Sequence, residues 1–134
     1  MRAGMIDGLF SSPALQSLSL TMDEAALRQQ AISSNISNVN TPGYQRKDVS
    51  ATFQSAYADA LHTVSEGNNV DESKMPEASI ETAAVQGPAR PDGNTVQLEQ
   101  EMLGLAQNSA RYEFAGQMLQ KHFQGMKFAI TGQE

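Results

Sequence analysis

The sequence predicts an all-α chain: two long terminal helices paired as a coiled-coil-like hairpin, with an irregular segment between them. Three observations lead to this reading. Apolar residues repeat on a heptad near both ends of the chain, the pattern of helices that meet along a seam. Between the two runs the chain is punctuated by Gly, Pro and Asn and shows no period. Aromatic residues make up only 6% and Trp is absent, which is enough apolar material for helix seams but thin for a large globular core. At 134 residues the chain has room for a single domain spanning 1–134.

The N-terminal helix is expected over 12–39. Ser12 is placed to cap it and Pro13 to occupy its first turn, where a missing N–H costs nothing. One heptad column then reads Leu15, Met22, Gln29, Ile36, and the other Leu18, Ala25, Ile32, Val39. Leu20 and Leu27 lie off this seam and form a second apolar ridge, available to a neighbouring subunit or to the rest of the chain. The helix should end near Val39, because Thr41 precedes Pro42 and is pushed out of the α region. Thr41-Pro42-Gly43-Tyr44 reads as a tight turn, with proline presetting one φ and glycine supplying a positive one.

From 40 to 93 the chain is read as turn and irregular segment. Val49, Phe53, Tyr57 and Leu61 recur every four residues and favour a short helix within 46–61. His62 to Gly93 is too long for an ordinary loop, so it is expected to be mobile or ordered only against a partner, with a short strand or turn over Ser79 to Val85.

The C-terminal helix is expected over 94–131, with Asn94 as N-cap and Gln97 completing a partial capping box. Its columns are Leu98, Leu105, Tyr112, Leu119, Met126 and Met102, Ser109, Gly116, Phe123, Ile130. Gly104, Gly116 and Gly125 are places where it could kink. Two seams of this size make a marginal pair in isolation, and packing against neighbouring subunits would stabilise it.

The composition excludes more than it selects. A net charge of −6 with scattered basic residues argues against a nucleic-acid surface. The absence of cysteine removes disulfides, thiol catalysis and thiolate metal sites. No stretch has the length of a membrane span or a secretory signal, so export would leave the N-terminus uncleaved. His62 and His122 have no partner at metal-ligand spacing, and Glu99, Glu101, Asp71 and Glu72 read as exposed charges. No phosphate loop, nucleophile elbow or zinc signature is present. Catalytic, cofactor and metal residues are therefore expected to be absent, and the chain is read as a non-enzyme.

One stretch resists a purely structural account. Ala31 to Tyr44 places three Asn and three Ser at a helix end, poor helix formers there. A cap explains Asn40 to Gly43 but not Asn35, a full turn earlier, which would need hydrogen bonds across a packed interface. The run SSNISNVNTPGYQRKD closely resembles the N-terminal signature of the flagellar axial family of rod, hook and hook-associated proteins. Asn35, Asn38, Asn40, Thr41, Pro42, Gly43 and Tyr44 match that pattern, while Val39 stands where Ala is more common. The stretch Asn94 to Ile130 resembles the end of the proximal rod subunits of that family, in Asn94-Thr95-Val96, Glu99, Glu101-Met102, Asn108, Arg111-Tyr112 and Lys127 to Ile130. Asp48, Phe53 and the short length also suit it. The resemblance covers about half the chain.

The resemblance implies a subunit exported unfolded and uncleaved by the flagellar type III apparatus and assembled helically in the periplasm, with its paired terminal helices lining the tube. Its implied partners are other rod subunits, copies of itself, the membrane-ring adaptor and the export gate. No nucleic acid, membrane span or cofactor is implied, and the role is mechanical: to join ring and gate to the rod and transmit torque. The apolar run Met5 to Leu15 serves equally as an export signal or as a helix start. Another rod or axial subunit, or a cytosolic helical adaptor or export chaperone, remains open at this point.

Overall fold

The computed structural model describes residues 11–85 and 87–132. The Met5 to Phe10 part of the apolar N-terminal run lies outside them. Helix α1 runs Pro13–Ser37. Ser12 holds an extended backbone and its hydroxyl accepts from the Leu15 N–H at 3.3 Å, so the cap expected from sequence forms. The helix then unwinds through Asn38, whose N–H still reaches the Ser34 and Asn35 carbonyls, and the chain turns at Thr41-Pro42-Gly43.

The 40–93 segment is more regular than its composition suggests. Strand β1 (Lys47–Val49) leads into helix α2 (Ala51–Ser65), which Ser50 caps through Phe53 N–H. Phe53, Ala60 and Val64 are the buried residues of α2, which lies against α1 where Leu20 is also buried. Tyr57 and Thr21 share a hydroxyl hydrogen bond of 3.1 Å between the two helices. A 3-10 turn (Glu72–Lys74) and strand β2 (Ile80–Thr82) follow. The strands pair antiparallel, with Lys47 opposite Thr82 and Val49 opposite Ile80.

The expectation of an all-α chain is corrected by this two-stranded sheet, although the protein is mostly helical. Residues within 62–93 also make hydrogen bonds back to the rest of the chain. Gln16 on α1 binds both the carbonyl and the N–H of Val70, at 3.0 and 2.9 Å, and Ala83 N–H donates to the Arg46 carbonyl. Strands of three residues are too short to show a period of two, and these long-range bonds leave no mark in local sequence.

Helix α3 runs Leu98–Thr131 without interruption at Gly104, Gly116 or Gly125. It starts four residues later than expected, because Asn94 is not its cap. The long helices meet along pairs that run from Asn35 and Glu101, through Ala25 and Asn108, to Glu24 and Arg111.

The interior of this contact differs from the expected seam. On α1, Ala25 and Ile32 are buried, while Leu15, Leu18, Met22 and Ile36 are half-buried. On α3, Met126 is buried and Leu105 and Leu119 are half-buried, but Leu98, Met102, Tyr112, Phe123 and Ile130 are exposed. The column expected at Met102, Ser109 and Gly116 is displaced by one residue, onto Glu101, Asn108 and Ala115. A count of apolar residues misses it because two of its three members are polar.

Gly43 has φ +73°, a backbone that an L side chain reaches only with strain. A Cβ built there meets nothing within 4 Å, so the cost of a substitution is conformational alone. Gly43→Ala is expected to lose about 1–2 kcal/mol in urea denaturation, and Gly43→Asn distinctly less, because Asn tolerates this region. Equal losses for the two would mean that packing, not φ, sets the requirement.

Candidate functional site: a buried polar junction beneath the signature turn

Asn35 is completely buried and acts as a double connector. Its Nδ2 donates to the Lys47 carbonyl at 2.8 Å while its Oδ1 accepts the Lys47 N–H at 2.8 Å, so the side chain pairs with β1 as a neighbouring strand would. The same Nδ2 lies 3.1 Å from Glu101 Oε2 on α3. One amide thus joins α1, β1 and α3, which answers the question its position in a helix end raises.

Glu101 is 1% exposed, correcting its reading as a surface charge. It faces inward because Arg46 supplies a charge-assisted partner, Nε donating to Oε1. Arg46 also forks onto Asp48 Oδ2 at 3.2 Å from both terminal nitrogens. Burial lowers the Arg46 pKa, but hydrogen bonding and charge from Glu101 and Asp48 outweigh it and hold it above the ordinary guanidinium value.

Glu24, also 1% exposed, pairs with Arg28 at 2.7 Å and with Arg111 of α3 at 3.4 Å. Arg28 Nε approaches Asp48 at 3.7 Å. The three carboxylates and three guanidiniums balance, so the cluster is neutral although much of it is removed from water. Asn108 extends it, donating to the Ala25 carbonyl at 2.8 Å and to Gln29 Oε1 at 3.1 Å.

Above this layer sits the turn. Asn94 is completely buried, and its Nδ2 reaches the carbonyls of Asn38, Val39 and Thr41 at 2.9, 3.1 and 2.9 Å. Its Oδ1 accepts Val96 N–H. Gly43 N–H donates to the Asp92 carbonyl, Thr95 N–H to the Tyr44 carbonyl, and Arg46 N–H to Thr95 Oγ1. Arg90 adds a bond to the Val39 carbonyl. The Tyr44 hydroxyl shares a bond with Ser34 Oγ and donates to Asn35 Oδ1.

The structure therefore divides the signature residues. Asn35, Asn38 and Tyr44 are tied into the chain, whereas Asn40, Thr41, Pro42 and Gly43 are exposed at its tip. Asn94, Glu24, Arg28, Arg46 and Arg111 were not singled out as site residues by sequence. The signals that point to part of this set are the i, i+4 spacing of Glu24 and Arg28 and the family resemblance at Asn94 and Arg111.

Chemically the junction is a clamp. Each acid is held by guanidinium, and no group of three metal-binding side chains occurs among the described residues. No helix among them is long and apolar enough to cross a membrane.

Residues 15–45, which carry α1 and the turn, match the family model described as flagella basal body rod protein. Across the whole chain the sequence is similar to the flagellar basal body rod protein FlgB of Bacillus subtilis. The two are 30% identical over 128 residues, covering 92% of this chain and 97% of that protein. The protein of the same description from Aeromonas hydrophila is 30% identical over 80% of this chain and 84% of its own length. That from Salmonella typhimurium is 29% identical over 96% of this chain and 99% of its own.

Proposed function

From its membership of the FlgB family of flagellar basal body rod proteins, to which this chain belongs, we propose how a structural subunit of the proximal rod, and not an enzyme, is built to do its work. The observation that carries the proposal is the buried junction. Asn35 and Glu101 fix the angle between α1, β1 and α3 with hydrogen bonds that have one geometry, where an apolar contact would permit sliding.

The two terminal helices act as a coiled-coil-like hairpin, and the domain divides at 12–39, 40–93 and 94–131 in function as in sequence. The seam residues Leu15, Leu18, Met22, Ile32, Ile36, Leu98, Met102, Leu105, Tyr112, Leu119, Phe123, Met126 and Ile130 serve both the helix pair and subunit contacts. Those left exposed, Met102 and Ile130 among them, serve the second purpose. The exposed tip Asn40-Thr41-Pro42-Gly43 is an assembly element, held in one shape by Asn94 beneath it.

The subunit leaves the cell interior by the flagellar type III route with its N-terminus uncleaved and assembles helically in the periplasm. Its partners are other rod subunits, copies of itself, the membrane-ring adaptor and the export gate. Torque passes through it because the clamp resists shear between its two helices.

Mass spectrometry of hook–basal bodies purified from the source bacterium tests this reading. The chain is expected there in a few copies per motor, and cells lacking it are expected to be non-motile and to build no rod. Intact basal bodies without the chain, with the chain recovered only from the cytosol, would overturn the assignment in favour of a cytosolic adaptor.

A further inference from the structure

A groove runs along one side of the contact between α1 and α3. Its widest part, about 620 Å³, is lined by Leu15, Met22, Ala26, Tyr112, Leu119 and Phe123. It continues past Ser109 and Glu113 at one end and past Gly116 to Lys127 at the other. Along α3 the span from Ser109 to Lys127 is about 27 Å, five turns of helix. The small residues Ala26, Ser109 and Gly116 leave room for a third helix, and α2 does not line the groove. This is why Tyr112 and Phe123, expected in a closed seam, are exposed.

A ridge of matching character lies elsewhere on α3. At about 100° per residue, Leu103, Ala110, Phe114, Lys121 and Phe128 fall within about 40° of one line, on the side away from the buried column of Glu101, Asn108 and Ala115. Leu103 is 60% exposed, Phe114 63% and Phe128 50%, unusual values for large apolar side chains. The ridge is about 38 Å long from Leu103 to Phe128, enough to fill the groove. Lys121 is the one charged residue on that line, and the groove is bordered by the exposed carboxylates of Asp23, Glu72 and Glu113.

We propose that the ridge of one copy of this chain seats in the groove of the next, Phe114 entering between α1 and α3 and Lys121 meeting the acidic border. The proposal rests on the reading of the chain as a self-assembling rod subunit and adds which faces meet. Because groove and ridge are different surfaces, the contact is heterologous: a pair leaves one copy's groove and the other copy's ridge unfilled, so the pairing propagates as a closed ring or an open helix and cannot stop at a two-fold dimer. Apolar burial supplies the drive, and Lys121 attracted to the three carboxylates and repelled by Lys127 at the far end of the groove sets direction and register.

Cysteine cross-linking tests it, since the chain has no cysteine of its own. Ala26→Cys marks the groove and Ala110→Cys the ridge, both exposed positions with small side chains. On mild oxidation of the concentrated full chain and of purified basal bodies, the double variant is expected to give a ladder of multimers on non-reducing gels, and each single variant none. Dimers from Ala110→Cys alone or Ala26→Cys alone would show like faces meeting and overturn the proposal. So would the absence of any ladder from basal bodies that contain the chain, an outcome that leaves the rod reading standing. Absence of the chain from basal bodies overturns the rod reading instead. As a second variant, Phe114→Lys should keep the wild-type circular dichroism spectrum, since the residue is exposed, while abolishing the ladder and motility. Motility at the wild-type rate would overturn the proposal.

Discussion

Glu101→Ala should lose about 3–5 kcal/mol of folding stability, the range expected when one partner of a buried ion pair is removed and the other remains. The carboxylate has two buried ties, to Arg46 Nε and to Asn35 Nδ2, and is 1% exposed. Removing it leaves a partly buried guanidinium with only Asp48 to answer it, and leaves Asn35 with one unmet direction. Glu101→Gln should lose less, because an amide oxygen still accepts one bond, but it loses the charge. The decisive measurement is a double-mutant cycle with Arg46→Leu, read by urea denaturation of the full chain. If the pair is a clamp, the double variant Glu101→Ala with Arg46→Leu recovers a large part of the Glu101→Ala loss, because no uncompensated charge stays behind. A single-variant loss below about 1 kcal/mol would place the pair with ordinary surface ion pairs.

That such a residue was misread from sequence has a physical cause. The heptad pattern counts apolar side chains, and with the local Ser12 cap it marks α1, while it marks α3 but not where α3 starts. Glu101 is inside only because Arg46, fifty-five positions away in sequence, comes to meet it. Asn94 was assigned a capping role since Asn before an apolar run usually caps. Its bonding capacity instead goes to three carbonyls of a turn that ends more than fifty residues earlier. The strands β1 and β2 are three residues each and owe their pairing to the surrounding contacts. The signature turn shows the reverse case: Pro42 and Gly43 fix its shape through their own φ preferences, so its sequence announced it. Helix propensity leaves Asn35 unexplained, and what the local sequence lacks is the identity of its partners, Lys47 and Glu101.

Asn94→Ala is expected to cost roughly 3 kcal/mol or more, because it strips the donor from the carbonyls of Asn38, Val39 and Thr41 and the acceptor from Val96 N–H in one step. Asn94 has no exposed surface, so water cannot replace these bonds without opening the junction. Asn94→Asp should be at least as damaging, since a carboxylate would face carbonyl oxygens with no proton to offer. The damage should also be local. Limited proteolysis of Asn94→Ala is expected to open the chain first between 38 and 46, while α2, held to α1 by its own packing and by the Tyr57–Thr21 bond, stays protected. Should both variants keep wild-type stability and the same cleavage pattern, the shape of the turn must come from Pro42 and Gly43 alone. Should the turn loosen while the helices hold, the variant separates two roles, because the exposed residues Asn40 to Gly43 stay chemically intact and lose only their fixed position. A defect in rod assembly under those conditions would show that the signature acts through its shape, and that Asn94 sets the shape.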